Sequence, residues 1–225
     1  MAPAAALIGD PARAAMLIAL ADGRALPAGE LAAIAGLSLP GTSAHLSRLL
    51  MGGLVVVERQ GRHRYYRLSG PQVATALEAM AALVAVPRHS RTRLRASDSL
   101  RHGRTCYDHI AGELGVAIGL ALDKYGFVSA GEGRRLNLTK EGIGWLNRIG
   151  INAEKLRSGP HGIACRCLDW TERRYHVAGP LGAAMLQLCR QSRWIVPAGG
   201  SPRAIKLSPR GAAWMRNELG VVLPI

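Results

Sequence analysis

The 225-residue sequence is poor in aromatic side chains, with one Phe, and it has no lysine before Lys124. Acids are also scarce: 15 Asp and Glu stand against 29 Lys and Arg, leaving a formal charge of +14. That imbalance disfavours an acidic substrate-binding surface and favours a polyanion partner, because each phosphate neutralised releases condensed counterions. Arginine accompanied by abundant Ala and Gly can also reflect a GC-rich genome, so charge alone does not name the partner. Long hydrophobic runs are missing. The stretch Ala14 to Ala21 near the N-terminus falls far short of the roughly 20 residues a bilayer demands, and it lacks the flanks of a secretory signal. The expectation is a soluble, cytoplasmic protein with no membrane partner. Cysteine is limited to four residues, all from Cys106 onward. So few exclude a disulfide framework and leave free thiols, ligands or redox switches.

What is present begins with residues 36 to 68. Glu30 to Ala35 reads as a short helix that Gly36 can end in the left-handed conformation. Ser38 is a suitable N-cap for the next helix, and Pro40 suits its first turn. Leu46, Leu49 and Leu50 form the apolar stripe of that second helix, with Thr42, Ser43, His45 and Arg48 off it. Past Gly52-Gly53, Leu54 to Val57 and Tyr65 to Leu68 have strand character around the turn-like Gln60-Gly61-Arg62. The hairpin carries Arg59, Arg62, His63, Arg64 and Arg67. Turn, helix and basic hairpin in this order predict a helix-turn-helix followed by a wing. Upstream, Asp10-Pro11 opens a helix to about Leu20. Downstream, Pro71 opens another with Val73, Leu77, Met80, Ala81 and Val84 on one face, a natural dimerisation surface.

The remainder contains a repeat. Tyr107 to Gly115 corresponds to Tyr175 to Gly182, Tyr125 to Val128 to Ser192 to Ile195, and Leu138 to Gly142 with Trp145 to Leu207 to Gly211 with Trp214. Each copy reads helix, strand, turn, strand, helix. The predicted fold class is mainly α (α+β): residues 1–86 a winged helix-turn-helix domain for DNA binding and dimerisation, 87–105 a basic linker, and 106–225 a duplicated C-terminal domain. Its two winged-helix-like repeats span about 107–151 and 175–221, too small to bury a core separately, and are expected to pack with pseudo-two-fold symmetry. Trp145 and Trp214 are expected core anchors.

Residues 1 to about 86 resemble the ArsR-type winged-helix repressors. The resemblance lies in Gly36-Leu37-Ser38, Thr42-Ser43-Ala44-His45-Leu46, Gly53-Leu54-Val55, and Gly61-Arg62 through Tyr66-Arg67-Leu68. It implies a homodimer with recognition helices in successive major grooves of a palindromic operator on double-stranded DNA. Thr42, Ser43, His45 and Arg48 would approach bases and nearby phosphates, with Arg59, Arg62, His63 and Arg64 on the backbone. Familiar metal ligands of the family are missing: no Cys-x-Cys lies near Leu31 to Ala35, and Gln72 to Val86 offers Glu78 alone. The C-terminal half resembles a long subgroup of such regulators, with Cys-Tyr-Asp-His and Cys-Leu-Asp-Trp-Thr-Glu-Arg-Arg elements.

Effector-sensing candidates are Cys106, Asp108, His109, Cys165, Cys167 and His176, which precede the two repeat helices. Thiolates, imidazoles and carboxylates are ligands for a transition-metal or metalloid ion. A redox thiol switch, an organic effector, and plain core cysteines with helix-capping histidines remain open beside it. No Gly-rich phosphate loop, oxyanion element or paired-carboxylate motif points to catalysis, and no catalytic residue is expected. The expected function is a DNA-binding transcriptional regulator, a repressor relieved by an effector. The alternatives are a non-regulated architectural DNA binder and a Cys/His enzyme domain fused to a DNA-binding module.

Overall fold

The computed structural model describes residues 2–61, 63–83, 98–159, 161–199 and 201–223. The chain forms two compact units, Met1–Leu77 and Glu78–Ile225.

In the first unit, α1 (Ala2–Ile8) precedes α2 (Pro11–Ala19). Asp10 caps α2 by accepting from the Arg13 amide at 2.9 Å, and Pro11 gives up no intrahelical bond there. Helix α3 (Ala28–Ala35) ends at Gly36 with φ +65, as its sequence predicts. Ser38 caps α4 (Leu39–Met51), its Oγ accepting from the Gly41 amide at 3.4 Å. Strands β1 (Leu26–Pro27), β2 (Val55–Gln60) and β3 (His63–Leu68) form an antiparallel sheet in the order β1-β3-β2. Gly61, at φ +60, starts the two-residue loop that lets β2 and β3 twist together. Met16, Leu17, Leu31, Leu46, Leu49 and Leu68 are enclosed between the helices and this sheet. Each contributes roughly 1.5–3 kcal/mol of hydrophobic stabilisation. Helix α5 (Pro71–Leu83) buries Val73, Ala74 and Leu77, while Met80 is 37% exposed.

The second unit takes in α5 from Glu78 onward, then α6 (Asp98–His102) and β4 (Arg104–Cys106). Residues 103–105 are not part of a solvated connector, because Arg104 is a core residue with no exposed surface, whereas Arg101 and His102 are exposed. The rest of that expected linker up to residue 97, together with Val84 and Arg62, lies outside the described residues. After β4 come β5 (His109–Ala111), α7 (Gly112–Lys124), β6 (Val128–Ala130), β7 (Arg135–Leu138) and α8 (Lys140–Arg148). A short 3-10 turn follows at Ala153–Lys155. Then the same order returns: β8 (Ala164–Leu168), β9 (Tyr175–Ala178), α9 (Gly179–Gln191), β10 (Ile195–Pro197), β11 (Ile205–Leu207) and α10 (Pro209–Leu219).

The two sets exchange neighbours. Strand β8 pairs with β7 to give the antiparallel sheet β6-β7-β8-β9. In the corresponding place β4 meets β11, with the Thr105 amide donating to the Arg203 carbonyl at 2.9 Å and the Ile205 amide to the Gly103 carbonyl at 2.9 Å. Helix α7 packs on β9 and α9 on β5. A stack of Tyr125, Phe127, Trp145, Trp214 and Trp194 runs through the shared core.

Candidate functional site

In the first unit the burial pattern of α4 decides which side chains can face a partner. Thr42, Leu46 and Leu49 are buried at i, i+4 and i+7. Thr42 is therefore part of the stripe, its hydroxyl donating to the Ser38 carbonyl at 2.9 Å, and it does not reach outward as the sequence suggests. His45 is half-buried with Nδ1 3.5 Å from Asp10 Oδ1, so it leans on the start of α2 instead of projecting. Ser43 and Arg48 are exposed as expected. Ala44 and Ser47 share their arc, although the sequence reading does not include them. Their signal is the 3.6-residue period, once Thr42 counts as apolar-facing.

On the hairpin, Arg59 stands directly opposite Arg64, and Gln60 opposite His63, all of them exposed. Arg67 sits lower on β3 and pairs with Glu58. Like charges opposite each other destabilise a strand pair.

In the second unit two hairpins carry matching side chains. Cys106 is the cross-strand partner of His109, closing a two-residue turn in which Tyr107 takes φ +57. Cys167 is likewise the cross-strand partner of His176. Directly opposed residues hold their Cβ atoms about 5 Å apart on one face. The packing of α7 on β9, of α9 on β5 and of β5 against β9 then brings the two Cys-His pairs together. One ligand atom from each of the four residues lies within 4.8 Å of all the others, and all four residues are buried.

Asp108 and Cys165 are not among the converging atoms. Asp108 stands behind His109, accepting from Nδ1 at 3.1 Å with its own side chain 44% exposed. Cys165 lies two residues before Cys167 on β8, about 7 Å along the strand, packed by Ala178. Asp169 takes the place behind His176, 3.1 Å from Nδ1 though off the line of a good hydrogen bond. The sequence places Asp169 ahead of the second repeat helix together with Cys165, Cys167, Glu172 and His176, and Asp169 also accepts from the Thr171 hydroxyl at 2.7 Å and from the Thr171 and Glu172 amides.

Asp108 hydrogen-bonds His109 Nδ1, and the two Nε2 atoms face each other across the cluster, 3.1 Å apart. Burial works against charging His109, yet the Cys106 sulfur and the Asp108 carboxylate lift its pKa above the usual imidazole value. Burial opposes His176 too, and Asp169 with Cys106 raises it to about 9. Hydrogen bonding to Cys167, then burial, pushes the Cys106 thiol up to about 12.

Asp169 is anchored from the other side by Arg104, at 3.1 Å, and by the Gly112 amide at 2.7 Å. Burial raises its pKa, but His176 and Arg104 outweigh that and hold the carboxyl well below its usual range. Arg104 also pairs with Glu78 at 2.9 Å, and Glu78 with Arg203 at 3.0 Å. A cleft of about 390 Å³ lies nearby, lined by Arg166, Arg173, Arg174, Tyr175 and Val177 among others. It is open to solvent, unlike the four-residue cluster.

The helix-turn-helix domain family matches residues 8–58. Over 224 residues the chain is 37% identical to the uncharacterized HTH-type transcriptional regulator YdfF of Bacillus subtilis, covering 98% of this chain and 97% of that one. The chain belongs to the ArsR-type winged helix-turn-helix transcriptional regulators. This regulator therefore binds DNA, and YdfF matches its second unit as well as its first. The HTH-type transcriptional regulator CmtR of Mycobacterium tuberculosis is 42% identical over 77 residues, 34% of this chain and 64% of CmtR. Among solved structures, the cadmium metal-sensor CmtR from M. tuberculosis is 34% identical, covering 42% of this chain and 99% of that one with a TM-score of 0.33. A homodimeric winged helix-turn-helix domain, Mb0332 from Mycobacterium bovis, is 30% identical over 36% of this chain and 75% of that one, with a TM-score of 0.34. Among the described residues of the regulator, no helix is long and apolar enough to cross a membrane.

Proposed function

We propose that this regulator is a homodimeric, sequence-specific repressor of transcription, released from operator DNA by an effector sensed in its second unit. The observation that carries the DNA-reading part is the exposed arc of α4, Ser43, Ala44, Ser47 and Arg48, on the same unit as a hairpin tipped by Arg59, His63 and Arg64. In this reading the α4 arc meets base edges in the major groove, and the basic side chains of the hairpin grip phosphates. One such helix reads only half of a palindrome, so two chains are needed for a full operator. The second unit is read as a duplication of one hairpin-helix-hairpin-helix module, supported by the repeated element order and the exchanged strands. No catalytic role is assigned to it.

Footprinting across the neighbouring promoter, with affinity measured against salt, tests this reading. Replacing Arg59 and Arg64 together with alanine should weaken binding to all sequences and flatten the log-log salt dependence by about 0.9 for each phosphate left unneutralised. Replacing Arg48 should instead erode discrimination between operator and mismatched sites, by about 1–3 kcal/mol if it reads a base. Equal loss of specific and non-specific binding in the Arg48→Ala variant, or an unchanged salt slope in the double variant, would refute the assignment. An architectural protein would protect no preferred palindrome.

A further inference from the structure

We propose that Cys106, His109, Cys167 and His176 form a tetrahedral two-thiolate, two-imidazole site for one zinc-group divalent cation, Zn2+ or Cd2+, within each chain. The proposal names the effector class for the regulatory reading above, and so rests on it for its biological role but not for its chemistry.

Geometry is the first support. In a tetrahedral zinc site with Zn–N near 2.0–2.1 Å and Zn–S near 2.3 Å, paired nitrogens stand roughly 3.3 Å apart and paired sulfurs roughly 3.8 Å. Here the two Nε2 atoms are 3.1 Å apart and all four ligand atoms fall within 4.8 Å of one another. Small side-chain adjustments therefore close the shell around one ion. The second support is orientation. Ligating imidazoles characteristically donate their remaining N–H to a carboxylate; Asp108 stands in that relation to His109, and Asp169 lies 3.1 Å from His176 Nδ1, close enough to take it with a small rotation.

Charge decides the class of ion. The cluster is buried: Cys106, Cys167 and His176 are each 1% exposed and His109 is 4% exposed. Loading converts two thiols and one dication into two metal-bound thiolates and two released protons, which leaves a neutral core shell. Sulfur ligands select against magnesium and calcium, and a tetrahedral S2N2 set suits a zinc-type ion. Symmetry closes the case. Each repeat supplies one Cys and one His from opposed strand positions, so the ion would sit on the pseudo-two-fold axis and tie the two copies together.

Cobalt(II) serves as the probe. Full-length reduced protein, stripped with chelator and titrated anaerobically, should bind one equivalent with the visible bands of tetrahedral cobalt and a thiolate charge-transfer band. Zinc should then displace it. The spectrum should be lost in the Cys106→Ser and Cys167→Ser variants and retained in Cys165→Ser and Cys189→Ser. Because the serine variants can misfold, Asp108→Asn is the second variant. Its side chain is partly exposed, and it should keep the fold while weakening cobalt affinity about 10-fold to 100-fold, as loss of an outer-shell partner does. Only octahedral cobalt, no stoichiometric binding, or a spectrum that depends on Cys165 would overturn the site. Operator affinity measured on the same samples separates the two readings. A tetrahedral cobalt spectrum with no change in DNA binding upholds the site and overturns its role as the effector switch.

Discussion

Replacing Arg104 with alanine is expected to cost the second unit about 3–5 kcal/mol, the penalty for breaking a buried ion pair from one side. Arg104 is fully enclosed and answers two carboxylates, Glu78 and Asp169, that are themselves buried. It also donates to the Leu100 carbonyl and the Thr171 hydroxyl and lies 5.2 Å from the Trp170 ring centre. Truncation removes the guanidinium that bridges the two carboxylates, leaving Glu78 to Arg203 alone and Asp169 to His176. Against a typical domain stability of about 5–15 kcal/mol, such a loss removes a large share. Urea denaturation read on the full chain should show a markedly lowered midpoint for this unit. Lysine should rescue only partly, because its point charge cannot span both partners as a planar guanidinium does. A wild-type midpoint in the Arg104→Ala protein would mean that the network contributes nothing.

The second large effect is expected at Gly182. A Cβ there would fall 2.6 Å from the Val177 carbonyl oxygen and 2.9 Å from the His109 Cβ, so backbone must move. Gly115 is its counterpart, with a Cβ 2.3 Å from the Ile110 carbonyl and 3.4 Å from the His176 Cβ. Helix α9 thus accepts the strand of His109, and helix α7 that of His176, across a missing side chain. Gly182→Ala should destabilise by about 1–3 kcal/mol through overpacking, more than the roughly 1 kcal/mol of helix propensity it gains. It should also spread the two histidines and weaken cobalt binding. Gly119→Ala is the control, since its Cβ meets nothing closer than 3.4 Å. That variant should be neutral or slightly stabilising. If thermal unfolding ranks the two variants equally, close helix-strand approach is not what assembles the cluster.

Local signals make the first unit legible. Caps at Asp10 and Ser38, the left-handed Gly36 and the strand character of residues 54–57 and 65–68 all depend on near neighbours. On α4 the expectation fails at Thr42 and His45 because polarity is a poor guide to exposure there. A threonine can lie in an apolar stripe when its hydroxyl bonds back to the preceding turn, as Thr42 does. Helix α1 carries no cap or charge pattern to announce it. In the second unit the repeat aligns His109 with His176 from sequence, but the match between Cys106 and Cys167 is hidden. One hairpin closes in two residues and the other carries a longer loop, so the spacing from Cys to His differs between copies. Only strand register shows that each Cys faces its His. Arg104 and Glu78 are unreadable for the opposite reason: each is solvated by default, and it is their mutual pairing, distant in sequence, that makes burial tolerable.

The placement of the indoles has a practical consequence. Trp145, Trp170, Trp194 and Trp214 all belong to the second unit, and residues 1–77 contain none. Intrinsic emission excited in the indole band is therefore a private channel of that half of the molecule, blind to events confined to the reading helix and hairpin. Trp170, beside Asp169 and over Arg104, sits nearest the chemistry, while the other three report on the aromatic stack. The protein arrives with one half already labelled, and an optical trace compared with a DNA-mobility measurement follows the two halves separately without any added dye.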